Sequence, residues 1–158
     1  MTDHAGHFHA VRFYDDADSL CRIVGEFLGA GLEKGEPALV IATPGHTASI
    51  NACLRRRGLD VDALKHAGEY VTLDARATLA AFMVDALPNA TSFRHTMSET
   101  LKGITRGREN TTVRAYGEMV DVLWKDGLEA AAISLARARA AWPPSNRLEA
   151  RSCGSSAA

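Results

Sequence analysis

Four short clusters carry the side chains best suited to chemistry: Tyr14-Asp15-Asp16, Thr43-Pro44-Gly45-His46, Asp74-Ala75-Arg76 and Tyr116-Gly117-Glu118. Each follows a segment that reads as a β-strand. In an open parallel sheet, ligands bind beyond the carboxyl ends of the strands, so these corners are expected along one edge. Together they offer an aromatic pair, carboxylates, a hydroxyl and an imidazole, which suits the lining of a small pocket. The candidate ligand-binding set is Tyr14, Asp15, Thr43, His46, Asp74, Tyr116 and Glu118. The two tyrosines would form aromatic walls with a polar tip, while Thr43, Asp74 and Glu118 would orient polar groups.

Each corner also has a plain structural explanation. Asp16, Asp18, Thr43 and Asp74 are good helix N-caps, each worth about 1 kcal/mol. Aspartates at 15, 16 and 18 could ligate a divalent cation, but magnesium usually binds with a phosphate partner, and no metal is expected here. Glu118 and Asp121 fall on one helix face as a conceivable acid–base pair. Alternatively, Glu118 complements a helix N-terminus and Asp121 pairs with Lys125 at i,i+4. His46 faces either solvent or the pocket. His4, His7 and His9 suggest adventitious metal binding only, and Arg55-Arg56-Arg57 reads as a solvated helix end.

The sequence contains no GxxxxGK[ST] loop and no GxGxxG after a strand, the two glycine-rich phosphate cradles. It has no GxSxG elbow, and no cysteine sits in the local pattern of a nucleophile. No catalytic constellation is complete, so a non-enzymatic protein without a cofactor is expected.

The elements that must position these corners alternate. His9–Tyr14 (HAVRFY) reads as a strand, followed by a helix with Leu20, Ile23, Val24, Phe27, Leu28 and Leu32 on one face, ended by Gly35. Pro37–Ala42 (PALVIA) is a short continuous apolar run, expected of a strand buried on both faces. Thr43-Pro44 opens the next helix, which ends at Gly58. Val61–Leu64 is a helical turn or loop, and Glu69–Leu73 a third strand. Arg76–Leu87 and Ser92–Ile104 read as helices separated by Asn89–Thr91. Thr111–Tyr116 (TTVRAY) is a fourth strand, before helices on either side of Gly127. This order implies a parallel sheet with helices on both faces, three layers in all.

The 158 residues make one domain the default. Area scaling leaves roughly 7,700 Å² exposed of about 24,500 Å² in the unfolded chain, enough burial for a core without staples. Eighteen basic and nineteen acidic residues give a formal charge of −1, which argues against chain-wide attraction to nucleic acid or anionic membrane. No apolar run reaches the length of a membrane span, and the polar Met1–Asp18 does not resemble a signal peptide. Cys21, Cys53 and Cys153 are scattered and in no metal-ligand spacing, so a reduced, cytoplasmic protein is expected.

The segments HAVRFYDDADSL, GLEKGEPALVIATPGHTASI, VTLDA and VRAYGEMVDVLWKDGLEAA resemble the MEDS domain, the methanogen/methylotroph sensory domain, over about residues 9 to 135. YGEMVDVLW is the most specific stretch. The resemblance implies a RecA/KaiC-like α/β fold used for sensing, found alone or fused to DNA-binding, kinase or anti-sigma-type modules, and a small organic or hydrocarbon-like ligand. Tyr14–Leu20 (YDDADSL) stands where KaiC-like ATPases carry their phosphate loop. It has neither glycine nor lysine, and its aspartates would repel a nucleotide.

The C-terminus departs from the family pattern: Trp142 is followed by Pro143-Pro144 and a polar stretch with no apparent core strand. The expectation is an N-terminal tail over 1–8, a sensory domain over 9–142 and a disordered tail over 143–158. The sheet would then lack its last strand, leaving an edge to a partner or a second copy. The function implied is a cytoplasmic sensory module that binds a small organic ligand and acts on a regulatory protein partner or a homodimer, without direct contact to nucleic acid or membrane. The rival readings are a protein-interaction module and a degenerate nucleotide-binding domain.

Overall fold

The structure, a computed structural model, describes residues 9–12, 17–106, 108, 110–142 and 148–153. Strand β1 (His9–Arg12) precedes helix α1 (Ala17–Glu33), which buries Val24, Leu28 and Leu32 at four-residue spacing. The end of α1 is set by Gly35 at φ +78°, with Gly35 N–H donating to Leu32 O and Glu36 N–H to Gly31 O. This Schellman closure requires the left-handed conformation that glycine adopts freely. Strand β2 (Ala38–Ala42) is buried at every position, and α2 (Pro44–Arg56) begins with its proline in the first turn.

A short helix α3 (Val61–His66), capped by Asp60, leads to β3 (Tyr70–Asp74) and α4 (Ala75–Ala80). Then come β4 (Met83–Val84), β5 (Leu87–Pro88), α5 (Ala90–Thr105), β6 (Val113–Gly117), α6 (Met119–Lys125), α7 (Glu129–Ala141) and β7 (Leu148–Cys153). Gly127, at φ +77°, separates α6 from α7 as expected.

The main sheet is parallel throughout, in the order β1-β7-β6-β2-β3. Alternate residues of β2 enter opposite cores, as strand geometry dictates. Ala38, Val40 and Ala42 pack with Val24, Leu28, Ile50, Leu54 and Tyr116 under α1 and α2. Leu39 and Ile41 pack with Leu79, Phe93, Leu101, Val122 and Leu135 from α4 to α7. No helix among the described residues is long and apolar enough to cross a membrane.

Three expectations are corrected. The sheet does not lack its last strand: Leu148–Cys153, read as part of a disordered tail, forms β7 between β1 and β6. Its sequence, Leu-Glu-Ala-Arg-Ser-Cys, lacks the apolar run of a two-sided central strand, but pairing along both edges supplies it with ladder hydrogen bonds. The helix expected over Arg76–Leu87 stops at Ala80. Asp85 and Ala86 adopt φ +50° and +64°, the paired positive values of a two-residue hairpin turn, and join β4 to β5. Finally, Cys21 and Cys53 form a disulfide, so the fully reduced state does not describe this structure.

Candidate functional site

Strands β2 and β6 are hydrogen-bonded neighbours with Ile41 opposite Gly117. Beyond this pair the chain turns in opposite directions. From β2 it passes through α2 to β3 on one side, and from β6 through α6 and α7 to β7 on the other. Helices α2 and α6 belong to the two different cores, on opposite faces of the sheet. That divergence is a topological switch point, where α/β sheets open a crevice at their carboxyl edge.

Glu118 occupies the crevice. Its backbone N–H donates to Ile41 O at 3.0 Å, extending the β2–β6 ladder by one residue. Its side chain is only 2% exposed, and both oxygens are engaged. Oε2 accepts from the Thr43 N–H at 3.0 Å and the Thr43 hydroxyl at 3.3 Å. Oε1 accepts from the Tyr116 hydroxyl at 3.0 Å and contacts His46 Nδ1. A carboxylate only accepts, so His46 Nδ1 is the donor in this contact. Burying a carboxylate is costly without such partners, and four donors offset that cost.

Four of the seven expected site residues (Thr43, His46, Tyr116 and Glu118) therefore meet in one network. The capping explanation does not hold for Thr43. Thr43 is the N-cap of α2 but makes no side-chain cap bond, and Glu118 likewise stands at the start of α6 without capping it. Both side chains are committed to each other across the β2–β6 boundary. Glu118 and Asp121 take different partners, since Asp121 Oδ2 pairs with Lys125 Nζ at 2.7 Å.

Asp74 belongs to the next corner. It caps α4, accepting from Ala77 N–H at 2.8 Å. It also lines a cleft of about 290 Å³ with Ala42, Pro44, Thr47, Asn51 and Thr72, on the other flank of the β2–α2 corner. Asn51 is held there by the Tyr70 hydroxyl at 2.8 Å. Tyr14 and Asp15 lie outside the described residues. Those residues contain no group of three or more His, Cys, Asp and Glu side chains placed to hold a metal.

A second feature was missed from the sequence. The disulfide joins α1 to α2 in a cleft of about 670 Å³ that includes Arg22, Arg56 and Arg57. The arginine run is an exposed helix end, as expected, and two of its members also have partners: Arg57 Nε donates to Glu33 Oε1 at 2.8 Å, and Arg56 Nη2 lies 3.2 Å from Cys53 Sγ. The available signal was spacing: Cys21, Gly25 and Gly29 repeat at four residues in α1, opposite Cys53 and Arg57 in α2.

Searches among curated proteins and among solved structures return no match. A family model described as MEDS, the MEthanogen/methylotroph, DcmR Sensory domain, matches residues 8–135. That span runs from the start of β1 into α7 and contains the whole Glu118 network. It covers well over half of the sequence, and the chain belongs to the MEDS sensory-domain family.

Proposed function

We propose that this chain is a non-enzymatic sensory module that binds a small organic ligand at the β2–β6 crevice and passes the signal to a regulatory partner. One observation carries the reading: a buried carboxylate, Glu118, stands at the topological switch point, closed by the partly exposed ring of His46. The adjoining cleft, with Ala42, Pro44 and Leu73 beside Thr47, Thr72 and Asp74, suits a ligand that is mainly apolar with one or two polar atoms. A ligand that hydrogen-bonds His46 Nε2 or displaces the ring from Glu118 would move the first turn of α2, and α2 would carry the change to the surface.

The engagement of both Glu118 oxygens favours binding over catalysis, since a general base needs a lone pair directed at its substrate. We read the scaffold as RecA/KaiC-like on the family resemblance, with nucleotide binding abandoned because Tyr14–Leu20 carries neither glycine nor lysine. A protein-interaction role without a small ligand has its own support in Val84 and Leu87, which are 55% and 49% exposed on the β4–β5 hairpin.

Thermal melts of the full chain against two panels, small hydrocarbon-like or halogenated organics and Mg-nucleotides, test the reading. A native-state ligand at 100 times its Kd adds about 2.7 kcal/mol, a rise of roughly 5–10 °C at this size. The expected result is a rise with an organic compound that Glu118→Gln removes. A cooperative melt indifferent to both panels would transfer support to the interaction module, and a rise with Mg-ATP to the nucleotide-binding reading.

A further inference from the structure

We infer that Cys21 and Cys53 form a reversible thiol–disulfide centre that exchanges with low-molecular-weight thiols and disulfides, with Cys53 as the reacting sulfur and Arg56 as its positioning residue. The two sulfurs have different surroundings. Cys21 is buried, with Sγ 2.9 Å from the Ser49 carbonyl oxygen, an acceptor that favours the protonated thiol of the reduced state. Cys53 is partly exposed in the α1–α2 cleft, with the Arg56 guanidinium 3.2 Å from Sγ and 3.9 Å from Cys21 Sγ. A cation beside sulfur favours the thiolate, which is the nucleophile and the better leaving group in exchange.

The helices are built to bring the pair together. A Cβ on Gly25 would lie 2.9 Å from Cys53 Cβ, so α1 and α2 approach as closely as they do because position 25 has no side chain. Reaction proceeds in two balanced steps. The Cys53 thiolate attacks a low-molecular-weight disulfide RSSR, forming Cys53–S–SR and releasing RS⁻. Cys21 then loses its proton to solvent and attacks Cys53 Sγ, closing the protein disulfide and releasing a second RS⁻. The dithiol is oxidised by two electrons and RSSR is reduced to two thiols; excess RSH reverses both steps. The two steps require no ligand at Glu118.

The test uses the full native chain equilibrated in glutathione buffers from fully reduced to fully oxidised, quenched with N-ethylmaleimide and mapped by peptide mass. The expected result is that Cys21 and Cys53 change state together at an intermediate ratio, with trapped glutathione mixed disulfide on Cys53 and not on Cys21. In the reduced chain, Arg56→Gln is expected to slow iodoacetamide alkylation of Cys53 about tenfold at pH 7 and shift its pH profile upward, while Arg56→Lys retains most of the rate. A pair that stays oxidised at every ratio until denaturant is added is an inert cross-link, and that result overturns the proposal. So does glutathione trapped on Cys21, a bridge involving Cys153, or an unchanged alkylation rate in Arg56→Gln.

Discussion

Glu118 accepts both the backbone N–H and the hydroxyl of Thr43, a residue 75 positions earlier in the chain, so the corners after β2 and β6 are tied at their tips. The sheet register places these residues side by side, and the side chains lock them. Glu118→Gln keeps the shape but replaces one acceptor oxygen with a donor that must face Thr43, Tyr116 or His46. The expected loss is about 2–4 kcal/mol of unfolding free energy, measured by urea denaturation. Tyr116→Phe removes one bond to the same carboxylate and is expected to cost about 1.5–3 kcal/mol, with the double variant costing less than the sum. Additive losses would mean that the network does not act as a unit.

At the neighbouring corner, Asp74→Ala removes the α4 cap and is expected to cost about 1 kcal/mol, whereas Asp74→Asn, itself a good cap, costs almost nothing. The two chemical-denaturation midpoints decide it. Equal losses in both variants would point to the charge and away from the cap.

Burial pushes the Tyr70 hydroxyl well above its ordinary value, with the charge of Arg55 pulling the other way. The unfolded chain releases this proton near pH 10 while the folded chain retains it. The stability contribution is therefore complete below pH 10 and declines as pH rises toward the folded-state value, by up to about 1.4 kcal/mol per pH unit. Urea midpoints between pH 9 and 11.5 are expected to fall along this slope, and Tyr70→Phe to flatten it. A slope unchanged in the variant would assign the alkaline loss to other groups.

Among the described residues, β1 pairs only with β7. Ala150→Pro places a residue without an N–H in a strand bonded on both sides, an expected loss of about 3 kcal/mol or more. Hydrogen exchange supplies the specific readout: amides of His9–Arg12 lose protection while those of Ala38–Ala42 keep theirs. Protection retained in β1 would mean that its pairing does not depend on β7.

Elements with strong periodicity or strong punctuation were legible before folding. The PALVIA run, the amphipathic α1 with Gly35 and the Gly127 break all lie where expected, because burial on both faces and left-handed caps leave local signatures. Thr43, His46, Tyr116 and Glu118 were legible as corner residues, but only the order of the strands distinguishes the β2–β6 boundary from the other edges. That order depends on β7, whose alternating charged residues look locally like a solvated tail. The hairpin at Met83–Pro88 was hidden for a similar reason: its turn residues, Asp85 and Ala86, are not the Asn-Gly type that announces positive φ. The disulfide was not read either: the four-residue repeat of Cys21, Gly25 and Gly29 marks a face of close helix approach, but it names no partner 32 positions away until α2 is packed against α1.

The placement of β7 makes the pairing of β1 the longest-range closure in the sheet, with His9 opposite Ala150. Strands β2, β3 and β6, with the crevice between β2 and β6, form a block that can assemble while β1 still lacks a neighbour. The first strand joins the sheet only when the last one has been inserted beside it, a closure between segments nearly the whole chain apart. Long-range closure of this kind is slow compared with local pairing. The crevice beside Glu118 is therefore bounded by two strands that pair with each other without β1, and β1 and β7 complete the sheet around it.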